Sequence, residues 1–100
     1  MPSDQEKRQH HRIRYPFQER PQLQYADRTC VVLDISARGL RYAIPDSLLP
    51  KPYEPVKGIL RFRHNTPIAI DGAVVRAQNG EVALYLHQEI PFAVLLAEQR

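Results

Sequence analysis

Apolar and polar residues alternate over several short segments of the chain, as they do in strands with one buried face. Six strand-like segments follow residue 21, at 22–26, 29–35, 40–44, 56–63, 68–76 and 82–86, of which 29–35 is β-branched and apolar rather than alternating. Turn signals separate them, including the stretch Ser36 to Gly39 and four prolines within residues 45–55. Short strands joined by turns predict an antiparallel barrel or sandwich. We favour a closed barrel because a chain of 100 residues is too short to bury two full sheets.

Three local signals refine the second half of this pattern. Gly72 lies inside a strand-like segment and predicts a bulge or kink there. Asn79-Gly80 is the strongest short hairpin signal in the chain. After Pro91, which suits a first helical position, the run Phe92 to Arg100 is rich in helix formers. The predicted fold is therefore all-β with a short C-terminal helix: a six-stranded antiparallel β-barrel.

Residues 1–16 differ from the remainder of the chain. They are polar and basic, and Ile13 and Tyr15 are their only large apolar side chains after Met1. Such a composition is typical of a segment that does not pack into a core. We therefore predict a flexible basic N-terminal arm over 1–16 and a barrel domain over 17–100.

Positive charge is concentrated at the start of the chain, whose formal net charge is +3. Residues 1–41 hold eight Lys or Arg against five Asp or Glu, and seven of those eight are Arg, whereas the remainder is balanced. Arginine is suited to planar, bidentate recognition of phosphate and of base edges. The first part of the chain is therefore expected to meet an anionic partner, unless the excess is only solvated surface.

Several classes of protein are disfavoured by what the sequence lacks. There is no apolar run long enough for a membrane span and no apolar signal-peptide core, so we expect a cytoplasmic protein without membrane insertion. The single cysteine, Cys30, falls in a predicted strand and is expected to be a small buried hydrophobe. Scattered histidines and the absence of a Gly-rich phosphate loop predict no catalysis and no metal site.

Two short patterns are candidates for binding chemistry. Arg8 and Arg12 form R-x-x-x-R, a spacing that puts two guanidinium groups on one side of the backbone, although a solvated basic run would look the same. Asp34, Ser36 and Gly39 form D-x-S-x-x-G at a strand end. There Asp and Ser can hydrogen-bond a purine edge, and Gly lets the chain turn sharply, although a plain turn between strands is the alternative.

Together and in this order, the two patterns resemble those of the PilZ domain family, and the resemblance extends from about Arg8 to Leu86. The resemblance implies a six-stranded β-barrel with a C-terminal helix that acts as a bacterial receptor for cyclic di-GMP, with no other cofactor. Carried over by position, Arg8 and Arg12 would hold phosphates and guanine edges, and Asp34 and Ser36 would take a guanine edge. The short chain looks like a stand-alone PilZ domain.

The resemblance also implies a role for two further positions. Gly39 would keep the turn open beside the ligand. Lys7, just before the arginine pair, would favour an intercalated pair of ligands over a single one. We expect the ligand to order the N-terminal arm and thereby to change a surface that a protein effector reads.

Two alternatives stay open at this point. The first is a small basic barrel that binds single-stranded nucleic acid, although the eight aromatic residues are spread rather than clustered as a stacking surface. The second is a PilZ-like scaffold that binds no nucleotide.

Overall fold

Seven strands and one α-helix are formed in residues 12–99, the part of the chain that the computed structural model describes. In chain order they are β1 (Ile13–Arg14), β2 (Gln22–Tyr25), β3 (Arg28–Ile35), β4 (Gly39–Ala43), β5 (Pro55–Arg61), β6 (Ile68–Gln78), β7 (Glu81–Leu86) and α1 (Phe92–Glu98). Short 3-10 turns lie at Phe17–Glu19 and Asp46–Leu48.

The strands close into a barrel. Each strand of the ring β3–β2–β5–β6–β7–β4 pairs antiparallel with the next, and β4 pairs with β3 to complete it. The six-stranded antiparallel barrel with a short C-terminal helix is therefore confirmed. The strand β1 lies outside this ring and pairs with the end of β3, where Ile13 is opposite Ile35.

The alternating apolar residues fill the barrel. Leu23, Val32, Tyr42 and Leu60 are wholly buried, and the hydroxyls of Tyr25 and Tyr42 hydrogen-bond each other at 2.9 Å. Burial raises the pKa of the Tyr42 hydroxyl well above its ordinary range, and the bond to Tyr25 adds to this effect. A core built from one residue in two along each strand is what the alternation predicted.

The structure tests the predicted hairpin at Asn79-Gly80 and the predicted helix start at Pro91. Asn79 and Gly80 both have positive φ, 55° and 75°, so the two-residue hairpin between β6 and β7 is confirmed in the geometry that such loops favour. Pro91 precedes α1 with φ −56° and ψ 141°, which are not helical angles. It therefore occupies the N-cap position, and Phe92 rather than Pro91 is the first helical residue.

The irregularity predicted at Gly72 lies elsewhere. The register between β6 and β7 shifts between Val74 and Arg76, while Gly72 pairs regularly with Leu86. A side chain at Gly72 would collide with the backbone carbonyl of Tyr85. Glycine is needed there because two strands approach closely, not because the strand bulges.

The boundary at residue 16 was also wrong in part. Ile13 and Tyr15 are each only 8 % exposed and belong to the core, and the Tyr15 N–H donates to the carbonyl of Leu33 at 3.1 Å. Two apolar residues at strand spacing are enough to extend the sheet by one short strand. The barrel unit thus includes Arg12 to Pro16, and the remainder of the predicted arm lies outside the described residues.

The C-terminal helix lies against the segment that follows β1. Glu98 accepts a hydrogen bond from the Tyr15 hydroxyl at 2.5 Å and another from the Asn65 side chain. Val94 and Leu95 pack against the core, whereas Phe92 and Leu96 are exposed. None of the helices in residues 12–99 is long and apolar enough to span a membrane.

Candidate functional site

A β-bulge in β3 turns Asp34 toward the outside of the barrel. The register with β4 shifts between Val32 and Asp34, so that Val32 faces the core opposite Tyr42 whereas Asp34 pairs with Arg41. Arg41 stands between two buried residues of β4 and therefore points outward, as does its partner. Without the extra residue at Leu33, strand periodicity would direct Asp34 into the core.

Although it points outward, Asp34 is completely buried beneath two arginines. One carboxylate oxygen accepts a hydrogen bond from Nη1 of Arg12 at 2.5 Å. The other accepts a hydrogen bond from Nε of Arg41 at 2.8 Å and lies 2.7 Å from its Nη2 in a salt bridge. The bond to Asp34 is the main reason why the pKa of Arg41 is raised above its ordinary value. The carboxylate thus fixes two cations at one place on the surface.

Ser36 and Gly39 lie beside this group, at the turn between β3 and β4. The Ser36 N–H donates to the Gly39 carbonyl at 2.9 Å. A Cβ at Gly39 would stand 3.1 Å from the Ser36 hydroxyl and 3.2 Å from Nη2 of Arg12. Both contacts would be tight, so glycine gives the Arg12 side chain room to reach the turn.

Four of the six sequence-predicted site residues therefore come together: Arg12, Asp34, Ser36 and Gly39. The other two, Lys7 and Arg8, lie outside the described residues. We refer to the four residues and Arg41 as the rim cluster.

Arg41 is the member of the rim cluster that the sequence interpretation missed. The sequence does contain a signal for the pairing of Arg41 with Asp34, since the two residues are equally distant from the centre of the tight turn at Ala37-Arg38. Residues so placed face each other across an antiparallel hairpin. Arg41 also reaches Glu81 of β7, with Nη1 2.8 Å from the carboxylate.

A broad open groove of about 1550 Å³ runs from the rim cluster across β4 and β7 to the C-terminal helix. Its floor and one side carry five arginines, at positions 12, 14, 38, 41 and 76, whereas Glu89 is the one acidic residue that lines it within residues 12–99. The helix contributes an apolar side through Phe92, Leu95 and Leu96. Such a groove suits a ligand that combines negative charge with flat or apolar parts.

Metal-ligating groups do not gather anywhere in the described part of the chain. No three of its His, Cys, Asp and Glu side chains stand close enough together to hold a metal ion. The two described histidines lie apart, His64 at 3.6 Å from Glu19 and His87 at 3.5 Å from Asp71.

Comparison with known proteins identifies the family of the chain. The family model described as PilZ domain matches residues 6–93, which include the rim cluster and every strand of the barrel. A search of curated proteins finds no match. Because the family model covers most of the chain, the protein belongs to the PilZ domain family.

Proposed function

We propose that this protein is a receptor for cyclic di-GMP and that the ligand binds at the rim cluster. The observation that carries the proposal is the meeting of Arg12, Ser36 and Gly39 around the buried Asp34 carboxylate. The ligand carries two phosphates and two guanines, so it needs both cations and groups that read a purine edge. The arginines that line the groove supply the cations.

Arg12 is the residue best suited to a direct contact. Its side chain is 38 % exposed even while it is bonded to Asp34, and it lines the groove. An arginine fork matches a phosphate, and it also matches the O6 and N7 atoms of guanine. The carboxylate that holds it reduces the cost of orienting a long side chain when the ligand binds.

For Asp34 we propose a different role from the one expected from its position in the pattern. Both of its oxygens already accept hydrogen bonds from arginines, and the residue has no exposed surface. A guanine could reach it only after Arg12 or Arg41 moved. We therefore assign Asp34 to the positioning of the two guanidinium groups, with Ser36 as the nearer acceptor and donor for a base edge.

Arg8 is assigned to the ligand from the R-x-x-x-R pattern, and Lys7 from the resemblance to the family. We propose that they close over the bound ligand and that this movement alters a surface read by an effector protein. Hydrogen exchange tests this step: amides of residues 1–11 gain protection on ligand addition if the segment closes. Protection unchanged at saturating ligand contradicts the closure while leaving ligand binding intact.

Isothermal titration of the purified protein with cyclic di-GMP tests the receptor function, with GTP as the control nucleotide. We expect saturable heat with cyclic di-GMP and none at the same concentration of GTP. A single-stranded oligonucleotide is titrated at two salt concentrations as well, because nucleic-acid binding weakens steeply with salt. Oligonucleotide binding without cyclic di-GMP binding would favour a barrel that binds nucleic acid. Binding of neither ligand would favour a scaffold.

A further inference from the structure

We propose that Arg38 and Tyr85 form a stacking platform for a purine base in the same groove, an assignment that rests on the proposed cyclic di-GMP function. Neither residue is a defining position of the R-x-x-x-R or the D-x-S-x-x-G pattern. Both line the groove, and both lie next to Gly39, Arg38 along the chain and Tyr85 opposite it on β7.

Tyr85 is not required by the core. Its neighbours Leu84 and Leu86 are buried inside the barrel, whereas Tyr85 points outward and is 49 % exposed. A large aromatic side chain on the wall of a groove offers a flat apolar surface to a ligand. Since Gly39 carries no side chain, nothing from the position opposite covers that surface.

The guanidinium of Arg38 is held in place by contacts to the nitrogens at its edge. Nη1 donates to the carbonyls of Leu86 and His87 at 3.1 and 2.9 Å, and Nε lies 3.5 Å from a carboxylate oxygen of Glu89. The central carbon of the guanidinium lies 5.7 Å from the centre of the Tyr85 ring, within the range of a cation–π contact. These contacts engage Nη1 and Nε and fix the plane of the guanidinium.

With its plane fixed in this way beside Tyr85, Arg38 can offer the flat face of its guanidinium to a ligand. A guanidinium plane and an aromatic ring are the two surfaces on which proteins stack unpaired bases. The platform is fixed before any ligand arrives, which lowers the entropy lost on binding. It lies beside the rim cluster, so a ligand with two guanines can place one at Ser36 and the other on this platform.

Replacement of Tyr85 separates stacking from charge. Titration calorimetry with cyclic di-GMP is compared for the wild type, Tyr85→Phe and Tyr85→Leu. Stacking on an aromatic side chain requires the ring but not its hydroxyl, so Phe should bind within about twofold of the wild type, whereas Leu should bind about tenfold more weakly or worse. Circular dichroism verifies that each variant is folded.

A tryptophan variant provides an independent readout. The chain contains no tryptophan, so Tyr85→Trp introduces a single indole whose emission reports its surroundings. We expect saturating cyclic di-GMP to quench this emission. Tyr53→Trp is the matched control, since Tyr53 is 83 % exposed and does not line the groove, and its emission should be unchanged.

The outcomes distinguish this inference from the function on which it rests. If Tyr85→Leu binds like the wild type while Arg12→Ala binds weakly, the platform is refuted and the receptor function stands. Unchanged emission from Tyr85→Trp at a ligand concentration that saturates it by calorimetry refutes the platform as well. If the wild type itself binds no cyclic di-GMP, the receptor function fails, and the platform fails with it.

Discussion

Replacing Arg12 with alanine removes one of the two guanidinium groups that bond the buried carboxylate of Asp34. A side chain in an unstructured arm could be deleted without effect on the free energy of unfolding, which is what the sequence pattern alone implied. The structure predicts a measurable loss instead, because Arg12 donates to a carboxylate that has no exposed surface. Stability therefore tests whether Arg12 is anchored before any ligand binds.

The size of the loss follows from the geometry. A hydrogen bond to a charged group contributes about 1.5–3 kcal/mol to stability. Arg12 is 38 % exposed and Arg41 still bonds the carboxylate after the substitution, so the effect is reduced by solvent screening. We expect a loss of about 1 kcal/mol, which lowers the Tm of a domain of this size by roughly 4–8 °C.

Thermal unfolding followed by circular dichroism measures this loss, with Arg63→Ala as the matched control. Arg63 is an exposed arginine that does not line the groove, so its removal changes the net charge equally and should alter stability by less than about 0.5 kcal/mol. Calorimetry on the same two proteins should show that Arg12→Ala binds cyclic di-GMP about tenfold more weakly, a difference of about 1.4 kcal/mol. If Arg12→Ala and Arg63→Ala unfold at the same temperature, the anchoring of Arg12 by Asp34 is refuted.

Three further predictions concern the turn, the barrel and its tyrosines. Gly39→Ala should leave the barrel folded but weaken cyclic di-GMP binding, since the added methyl crowds the Ser36 hydroxyl and Arg12; calorimetry showing wild-type affinity would contradict this. Gly72→Ala should destabilise the fold by about 1–3 kcal/mol in urea unfolding, because a strand must shift to avoid the Tyr85 carbonyl, and an unchanged midpoint would count against the close approach. Burial raises the pKa of Tyr15 and Tyr42 far above the ordinary value of about 10. Unfolded tyrosines lose protons above about pH 10 while these two keep theirs. The contribution of these two tyrosines to stability should therefore be constant below that pH and fall by up to about 1.4 kcal/mol per pH unit for each of them above it, as measured by urea unfolding at several pH values.

Local pattern was sufficient to predict most of the barrel. Alternation and β-branched, apolar composition located the six ring strands, and the Asn79-Gly80 pair located one of the two hairpins with two-residue loops within residues 12–99, because these signals depend on neighbouring residues only. The strand β1 was missed since Ile13 and Tyr15 are two apolar residues in a basic segment, and their burial depends on a pairing partner about twenty residues away. The same dependence on distant pairing explains why the bulge was predicted at Gly72 and lies at Val75.

The site was predicted in its members but not in its arrangement. The D-x-S-x-x-G pattern identified Asp34, Ser36 and Gly39, and the structure adds that a bulge at Leu33 turns the carboxylate outward. Leucine at position 33 gives no sequence signal for a bulge, so strand periodicity alone could not predict which way Asp34 points. The groove could not be predicted at all, because its two sides come from β4, β7 and the C-terminal helix, which meet only in the folded chain.

Mapping the ligand by nuclear magnetic resonance tests the central claim most directly. Amide signals of the isotope-labelled protein are followed during a titration with cyclic di-GMP. The largest shifts are expected at Arg12, Ser36, Gly39 and Arg41, which surround the buried Asp34 carboxylate. Shifts that cluster instead on β5 and β6, around Lys57 and Asp71, would show that the ligand binds elsewhere on the barrel and would contradict binding at the rim cluster.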